Sequence, residues 1–508
     1  MRGREVMNIL SKYALACSVA LGGFIAAMPV VVAAPLEVAV EQSPSGLDPH
    51  IVTAFTSFQI IDGTIYEGLA ALDGDLNIVP GLASKWDISD DKKTYTFTLQ
   101  DGVKFHGGAM MTSKDVASSL NRVLAKKTGS PLASRLAAVE RIDTPDDKTV
   151  VIHLSAPSAP LLSSLTTIAI VPAKYENDTE TLQRKPDGTG PFKMIEWQPD
   201  VAIKLAPNTD YWQKGLPKLD GVNFNIVPEA TTRHVGLTSG QYQMLPNIDG
   251  VTAQQLQGQP GVKMEEALEL AYSLIGMNVT RPPFDNPKVR EAINYAVNRG
   301  DIVAAALFGA GVPGGPLSPA LTNFATPVGD FACFKPDVAK AKALMAESGI
   351  ATPVNARLLV LPRDSTKAIA QILQQELAAI GINLTLDIPE IGQFVQNWKN
   401  SDFDLFVSLN AGTIEPDDYF YRTFRTGGST NVFKYSNKKL DALLDKGREE
   451  TDVESRKKIY TDVQSILACD GPASFLTYGK IYTAMNEKVK GYKINPNRSL
   501  RTLRSTSQ

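Results

Sequence analysis

The chain has 508 residues, 43% of them hydrophobic, enough to bury more than one core, so several domains are expected. A formal net charge of −3, with no basic cluster interleaved with aromatics, argues against a nucleic-acid partner. Short basic runs such as Arg456–Lys458 read as solvated helix faces.

At the N-terminus Arg2, Arg4 and Lys12 precede an apolar stretch from Tyr13 to Val32 rich in Ala, Val and Gly, the make-up of a secretory signal. Small residues at Val31 and Ala33 place cleavage after Ala33, because Pro35 directly after the cut would oppose cleavage after Ala34. Residues 1–33 are therefore expected to be removed, and loss of Arg2, Arg4, Lys12 and Glu5 takes the net charge from −3 to −5. A lipid anchor on Cys17 has too little apolar chain before it. No later run reaches the ~20 apolar residues that a spanning helix needs, so the expected location is the periplasm of a double-membrane bacterium. In that oxidising space Cys333 and Cys469 either pair or stay as two buried thiols.

From Leu36 the mature chain enters a short strand and then the turn SPSGLDPH, Ser43 to His50. Thr94 to Gln100 alternate Tyr95, Phe97 and Leu99 with polar neighbours, the period of a strand with one buried face. Thr112 stands three residues before Asp115, ahead of Val116, Leu120, Val123 and Leu124 at helical spacing, which predicts a capped amphipathic helix. Val150, Ile152 and Leu154 share one face of a strand from Thr149 to Ser155. Gly188 to Asn278 reads as returning strands. Phe284 to Arg299 reads as a helix with Pro287 in its first turn and Val289, Ile293, Ala296 and Val297 on one face. Gly309 to Gly314 fits G-x-G-x-x-G, but Pro313 and Pro316 prevent a helix from opening there, so a plain loop is expected.

Arg357 to Leu361 is a short apolar strand; Ser365 can cap a helix carrying Ile369, Ile372, Leu373, Leu377 and Ile380; Gly381 ends it, and Ile382, Leu384 and Leu386 alternate as a second strand. This βαβ unit should place its strand ends at a crevice, where ligands bind. Arg363, between the first strand and the helix, sets a guanidinium beside a helix N-terminus and makes a good carboxylate site. A surface or interdomain salt bridge is the other reading. Asn437 to about Cys469 is helical, and Phe475 to Met485 returns as a strand.

The order of motifs is more specific than their periods. The stretch from Tyr66 to Leu120 carries in turn YEGL, PGLA, Trp86, YTFTL, DGVKFH and a DV-containing helix. It is followed by GTGPFK (Gly188 to Lys193), NTDYW (Asn208 to Trp212), FDNPKVREAINYAVNR (Phe284 to Arg299) and a KGY near the C-terminus. This order resembles the peptide/opine/nickel-type extracytoplasmic solute-binding proteins of ABC importers, family 5. The resemblance implies a mixed α/β, two-lobed periplasmic-binding-protein fold with a hinge and an extra domain. The expected layout is residues 34–62, 187–278 and 478–508 in lobe I, 63–186 in the extra domain as a spacer rather than a site, and 279–477 in lobe II. Hinges are expected near Asn278 and near Thr477.

The resemblance also implies where a ligand sits. Thr53 and Phe55 match two ligand-facing positions, with Phe55 as ordinary core the alternative. In peptide-binding relatives an arginine in the loop of Arg363 meets the ligand carboxylate, and Ser365 follows it. In the segment FDLFVSLNAGTIEPDDYFYRTFRTGG, Phe403 to Gly428, dipeptide and oligopeptide binders carry an aspartate three residues before the acid-proline pair, where it captures the α-ammonium. Here that position is Gly412, before Glu415-Pro416, and a frequent upstream tryptophan is replaced by Leu409, beside Asn410. A lost carboxylate would leave a buried ammonium unpaired at a cost of roughly 3 to 5 kcal/mol, so ordinary α-peptides are disfavoured. Glu415, Asp417 and Asp418 either substitute from nearby or are surface acids in a loop. Tyr419, Phe420, Tyr421 and Phe424 either line an apolar or sugar-stacking wall or belong to the core.

The function expected from the resemblance is capture of a solute between two lobes and its delivery to an inner-membrane permease, by a monomer that needs no cofactor. Candidate solutes are short peptides, opine-like conjugates, glutathione-like thiols, metal chelates and oligosaccharides; a chemoreceptor or chaperone accessory would share the same binding step. The rival class is an enzyme. No H-E-x-x-H or G-x-S-x-G occurs, and His50, His106, His153 and His234 are scattered without metal-ligand spacing, so no catalytic centre is expected.

Overall fold

The computed structural model describes residues 34–52 and 54–508. The expected signal segment, residues 1–33, and Thr53 lie outside the described residues.

The alternating strand is Thr94–Leu99, with Tyr95, Phe97 and Leu99 buried. It belongs to a four-stranded antiparallel sheet ordered Ala83–Ile88, Thr94–Leu99, Thr149–Leu154, Val139–Asp146. The helix Ser113–Leu124 opens with the expected reciprocal cap between Thr112 and Asp115 and buries Val116, Leu120 and Val123 in the same cluster as Phe97.

Ala70–Leu72 and Ile78–Pro80 pair as a separate small sheet, and a larger, eleven-stranded mixed sheet carries the remaining strands, ten along its path and Gly311–Pro313 beside it. Its path runs Ile382–Asp387, Val354–Val360, Leu405–Asn410, Val262–Met277, Ala473–Asn486, Met244–Ile248, Leu36–Val40, Val222–Ile226, Ala202–Pro207, Phe192–Gln198. Two hydrophobic clusters cover it and define two lobes. One gathers Leu36, Val38, Phe192, Phe224 and Leu503 from the start, middle and end of the chain. The other gathers Leu274, Ile293, Leu358, Leu373, Phe406 and Leu467. In the second lobe Val354–Val360, the helix Asp364–Ala378 and Ile382–Asp387 form the expected βαβ unit, with the two strands parallel.

Val262–Met277 and Ala473–Asn486 run antiparallel through both lobes. Their ladder is interrupted between Leu268 and Tyr272, opposite Gly479. Regular pairing gives way there and again between Ser273 and Leu274, opposite Thr477 and Phe475. Asn278 is buried and donates its side-chain amide to the Ser401 carbonyl at 3.0 Å, well inside the second lobe. A period-2 pattern marks a strand but not the residue at which its register slips.

Three local expectations are corrected. Phe284 to Arg299 is not one helix: Pro287–Ala296 stops at Val297, and Arg299–Ala306 restarts with Asn298 as its cap, accepting from Gly300 N at 3.0 Å. The long C-terminal helix is likewise two, Lys438–Glu449 and Val453–Cys469, each capped by its own Asn437 or Asp452. Within the G-x-G-x-x-G segment, Gly311–Pro313 is a short edge strand paired with Ala473–Asn486, not a plain loop, since an edge position tolerates Pro313. Cys333 and Cys469 are joined by a disulfide, with Cα atoms 5.8 Å apart. No helix among the described residues is long and apolar enough to cross a membrane.

Candidate functional site: a cavity between the lobes

A cavity of about 680 Å³ lies between the lobes, floored by Glu269, Leu270 and Ala271 where the long ladder is interrupted. Phe55, Phe58, Asp62 and Glu67 come from the first lobe side, with Pro496 to Arg498 from the C-terminal segment. Leu361, Arg363, Leu409 to Glu415 and Asp418 come from the second. Leu132, Arg135, Ser163, Ser164 and Thr167 come from the segment expected to act only as a spacer, so that expectation is corrected: the extra layer supplies part of the wall.

Most acids on the wall are already engaged. Glu67 accepts from the Tyr211 hydroxyl at 2.7 Å, the Thr189 hydroxyl at 2.9 Å and the Trp212 indole N–H at 3.0 Å, and burial still pushes its carboxyl above the ordinary range. Asp62 pairs with Arg501 at 2.5 Å, and Glu269 pairs with Arg498. Burial raises Glu269 against the pull of Arg498. Glu415, 4% exposed, is held by the Arg456 guanidinium and also caps the helix Pro416–Phe424 by accepting from Asp417 N at 3.1 Å. Asp417, 2% exposed, is gripped by Arg448 at 2.6 Å, yet burial pushes it up to about 6. The reading of these two as surface acids is therefore overturned: their arginines arrive from the next two helices and neutralise them in the interior.

Asp418 is different. It is half-buried on the cavity wall, and its carboxylate has no hydrogen bond or ion pair among the described residues. Burial raises it, with Arg135 the strongest opposing charge. Among the described residues, Arg363 is solvent-exposed with no side-chain partner, and Arg135 makes a single side-chain bond, to the Thr167 hydroxyl at 3.0 Å.

Of the positions singled out in the sequence, Phe55, Arg363, Leu409, Asn410, Gly412 and Glu415 come together on this wall, and Thr53 lies outside the described residues. Phe55 is not core: it is 47% exposed, with the Arg498 guanidinium 5.4 Å from its ring centre. Arg363 is the N-cap residue of the helix Asp364–Ala378, so Ser365 lies inside the first turn, caps nothing and does not line the cavity. Asn410 donates to the Tyr272 hydroxyl at 3.3 Å. Tyr419, Phe420 and Phe424 are core, while Tyr421 stacks under Arg448 at 3.2 Å. The turn at Ser43 to His50 divides: Pro49 reaches the cavity, whereas Asp48 and His50 are fully buried against Arg122. His50 accepts from Arg122 at Nδ1, 2.9 Å, and donates from Nε2 to the Ala169 carbonyl, 2.8 Å; burial holds it neutral at about 4. Asp418, one of the acids singled out around the acid-proline pair, also reaches this wall, whereas Arg135 and the Pro496 to Arg498 segment carry no local signature that sequence reasoning could use.

A model of the bacterial extracellular solute-binding proteins, family 5 Middle, matches residues 77–431. The glutathione-binding protein of Pectobacterium atrosepticum is 29% identical over 507 residues, covering 97% of this chain and 97% of that protein. The dipeptide-binding protein of Escherichia coli is 27% identical over 495 residues, covering 90% and 91%. Among solved structures, HbpA2 from Haemophilus parasuis superposes with a TM-score of 0.86 at 26% identity, covering 93% of this chain and 99% of that one.

Proposed function

Because this chain belongs to the bacterial extracellular solute-binding proteins, family 5, we propose that it binds a peptide-like or opine-type solute bearing a carboxylate in the cavity between its lobes and hands it to an ABC permease of the inner membrane. The relatives named above bind glutathione and dipeptides, and the present cavity suits solutes of that size and polarity. It acts outside the cytoplasm, in the periplasm, as a monomer, and its role is binding rather than catalysis.

One observation carries this reading. Arg363 stands at the N-terminus of the helix Asp364–Ala378, on the cavity wall, with its guanidinium unspent while the neighbouring acids are paired. Free helical N–H groups and a planar cation at one place favour a carboxylate. Ligand contacts with both walls would then draw the lobes together, a hinge closure stabilised by differential contact.

Native mass spectrometry of protein purified without refolding identifies the retained solute, which is expected to bear a carboxylate. Calorimetry with that compound should show Arg363→Ala weakening binding by roughly 2 to 5 kcal/mol, the range for truncating one member of a charge pair once closure over the solute has buried it. Unchanged affinity in the variant would overturn the reading.

A further inference from the structure

Glu415 and Asp417, the two acids that stand beside Asp418 in the sequence, are locked onto Arg456 and Arg448. Glu67, Asp62 and Glu269 are likewise engaged. Asp418 therefore presents the one cavity-wall carboxylate among the described residues with neither hydrogen bond nor ion pair. Its place in the first turn of the helix Pro416–Phe424 suits the positive end of the helix but supplies its carboxylate no hydrogen bond. The N-cap there is Glu415, whose own N–H is satisfied by the Thr413 hydroxyl at 3.1 Å, so Asp418 completes no capping box.

Arg135 and Asp418 line the same cavity from different sides and are not among the ion pairs of the described residues, yet Arg135 is the strongest opposite charge acting on the Asp418 carboxyl. Thr167, whose hydroxyl accepts from Arg135 at 3.0 Å, also faces the cavity. A solute group that spans the gap must offer an ammonium to one side and a carboxylate to the other. Unpaired charges in a partly desolvated cavity are costly, and a complementary zwitterion offsets both at once. Arg363 remains for a second carboxylate.

Resting on the reading of this cavity as a binding site for a carboxylate-bearing solute, we propose that Asp418 and Arg135 together clasp a free amino-acid head, an ammonium and a carboxylate on one carbon, while Arg363 holds a second carboxylate. The chemical class is a side-chain-linked amino-acid conjugate such as a γ-glutamyl peptide. An ordinary α-peptide lacks this head, because its α-ammonium and terminal carboxylate sit at opposite ends.

The test uses two isomers of identical composition and charge, γ-glutamyl-cysteinyl-glycine and α-glutamyl-cysteinyl-glycine, titrated calorimetrically into the mature chain freed of retained solute. The γ isomer is expected to bind at least roughly 30-fold more tightly. Asp418→Asn and Arg135→Gln, each checked for an unchanged melting curve, should abolish the preference, whereas Arg363→Ala should weaken both isomers alike. Equal binding of the isomers by the unmodified protein, failure of both to bind, or a preference that survives Asp418→Asn would overturn the proposal. If the natural solute still depends on Arg363 in those cases, the carboxylate-binding reading stands and only the clasp is wrong; if it does not, that reading falls as well.

Discussion

At Gly412 the missing side chain is a packing requirement. A Cβ there would overlap the Leu270 carbonyl and the Tyr419 hydroxyl, which itself donates to that carbonyl at 2.6 Å. The strand floor and the loop carrying Gly412 approach backbone to backbone, so an aspartate cannot be restored in place. Gly412→Asp is expected to destabilise the fold by about 1 to 3 kcal/mol, the usual cost of overpacking, and to bring no gain in dipeptide affinity. Thermal unfolding and calorimetry on the same preparation decide it: tight dipeptide binding with an unshifted melting temperature would show that the loop yields. Plain di- and tripeptides should bind the unmodified protein poorly for the same reason.

Among the elements, the helix Asp364–Ala378 meets the start of the helix Arg299–Ala306 through Glu376, which accepts from Asn298 N at 3.1 Å while its second oxygen is buried without a partner. Burial pushes Glu376 from 4.5 up to about 7. The folded protein thus holds a proton that the unfolded chain has already released, and stability falls as the pH rises from about 4.5 to about 7. Glu376→Gln removes this dependence; relative to the parent it should gain about 1 to 2 kcal/mol between pH 5 and pH 8, a range lowered for partial exposure, read from denaturant unfolding at both pH values. The disulfide ties the turn Ala332–Phe334 to the end of the helix Val453–Cys469. Unfolded, unreduced protein that lacks residues 1–33, and with them Cys17, should show no free thiol on alkylation, and the double change Cys333→Ala, Cys469→Ala should lower unfolding free energy by about 2 to 4 kcal/mol. Much at this scale was legible in advance: the Thr112–Asp115 cap, the Tyr95-Phe97-Leu99 face and the βαβ unit all follow from local spacing. The break at Val297 was not, since both flanking segments keep helical apolar spacing and only the Asn298 cap interrupts them. The site was half-legible. Arg363 and Gly412 stand in recognisable surroundings, but the arginines that neutralise Glu415 and Asp417 lie 41 and 31 residues further on, and no sequence period links them.

Across the whole molecule, the tip of the hairpin joining Ala83–Ile88 to Thr94–Leu99 reaches the second lobe, where Lys92 pairs with Glu450 at 2.7 Å. Nearby, Ala159 N donates to the Arg448 carbonyl at 2.8 Å. Lys92 sits at φ 58°, a backbone conformation that suits glycine and costs other residues roughly 1 to 2 kcal/mol. Lys92→Gly relaxes the turn while cutting the tie between the lobes, so it is expected to leave the fold at least as stable yet weaken solute binding a few-fold, with small-angle scattering showing a more open average shape. Unchanged affinity and shape would mean that the tie contributes nothing to closure. The first lobe has a further property that follows from how its core is gathered. Leu36 and Val38, near the start of the described residues, share a cluster with Leu500 and Leu503, and Asp62 is pinned by Arg501 and by the Ser499 hydroxyl, at 2.5 Å and 3.0 Å. The strand Leu36–Val40 thus completes its core only with residues from the far end of the described chain. During synthesis this core therefore stays unfinished until Leu503 has emerged, and a product cut short of Ser499 leaves apolar surface open to proteases and to aggregation.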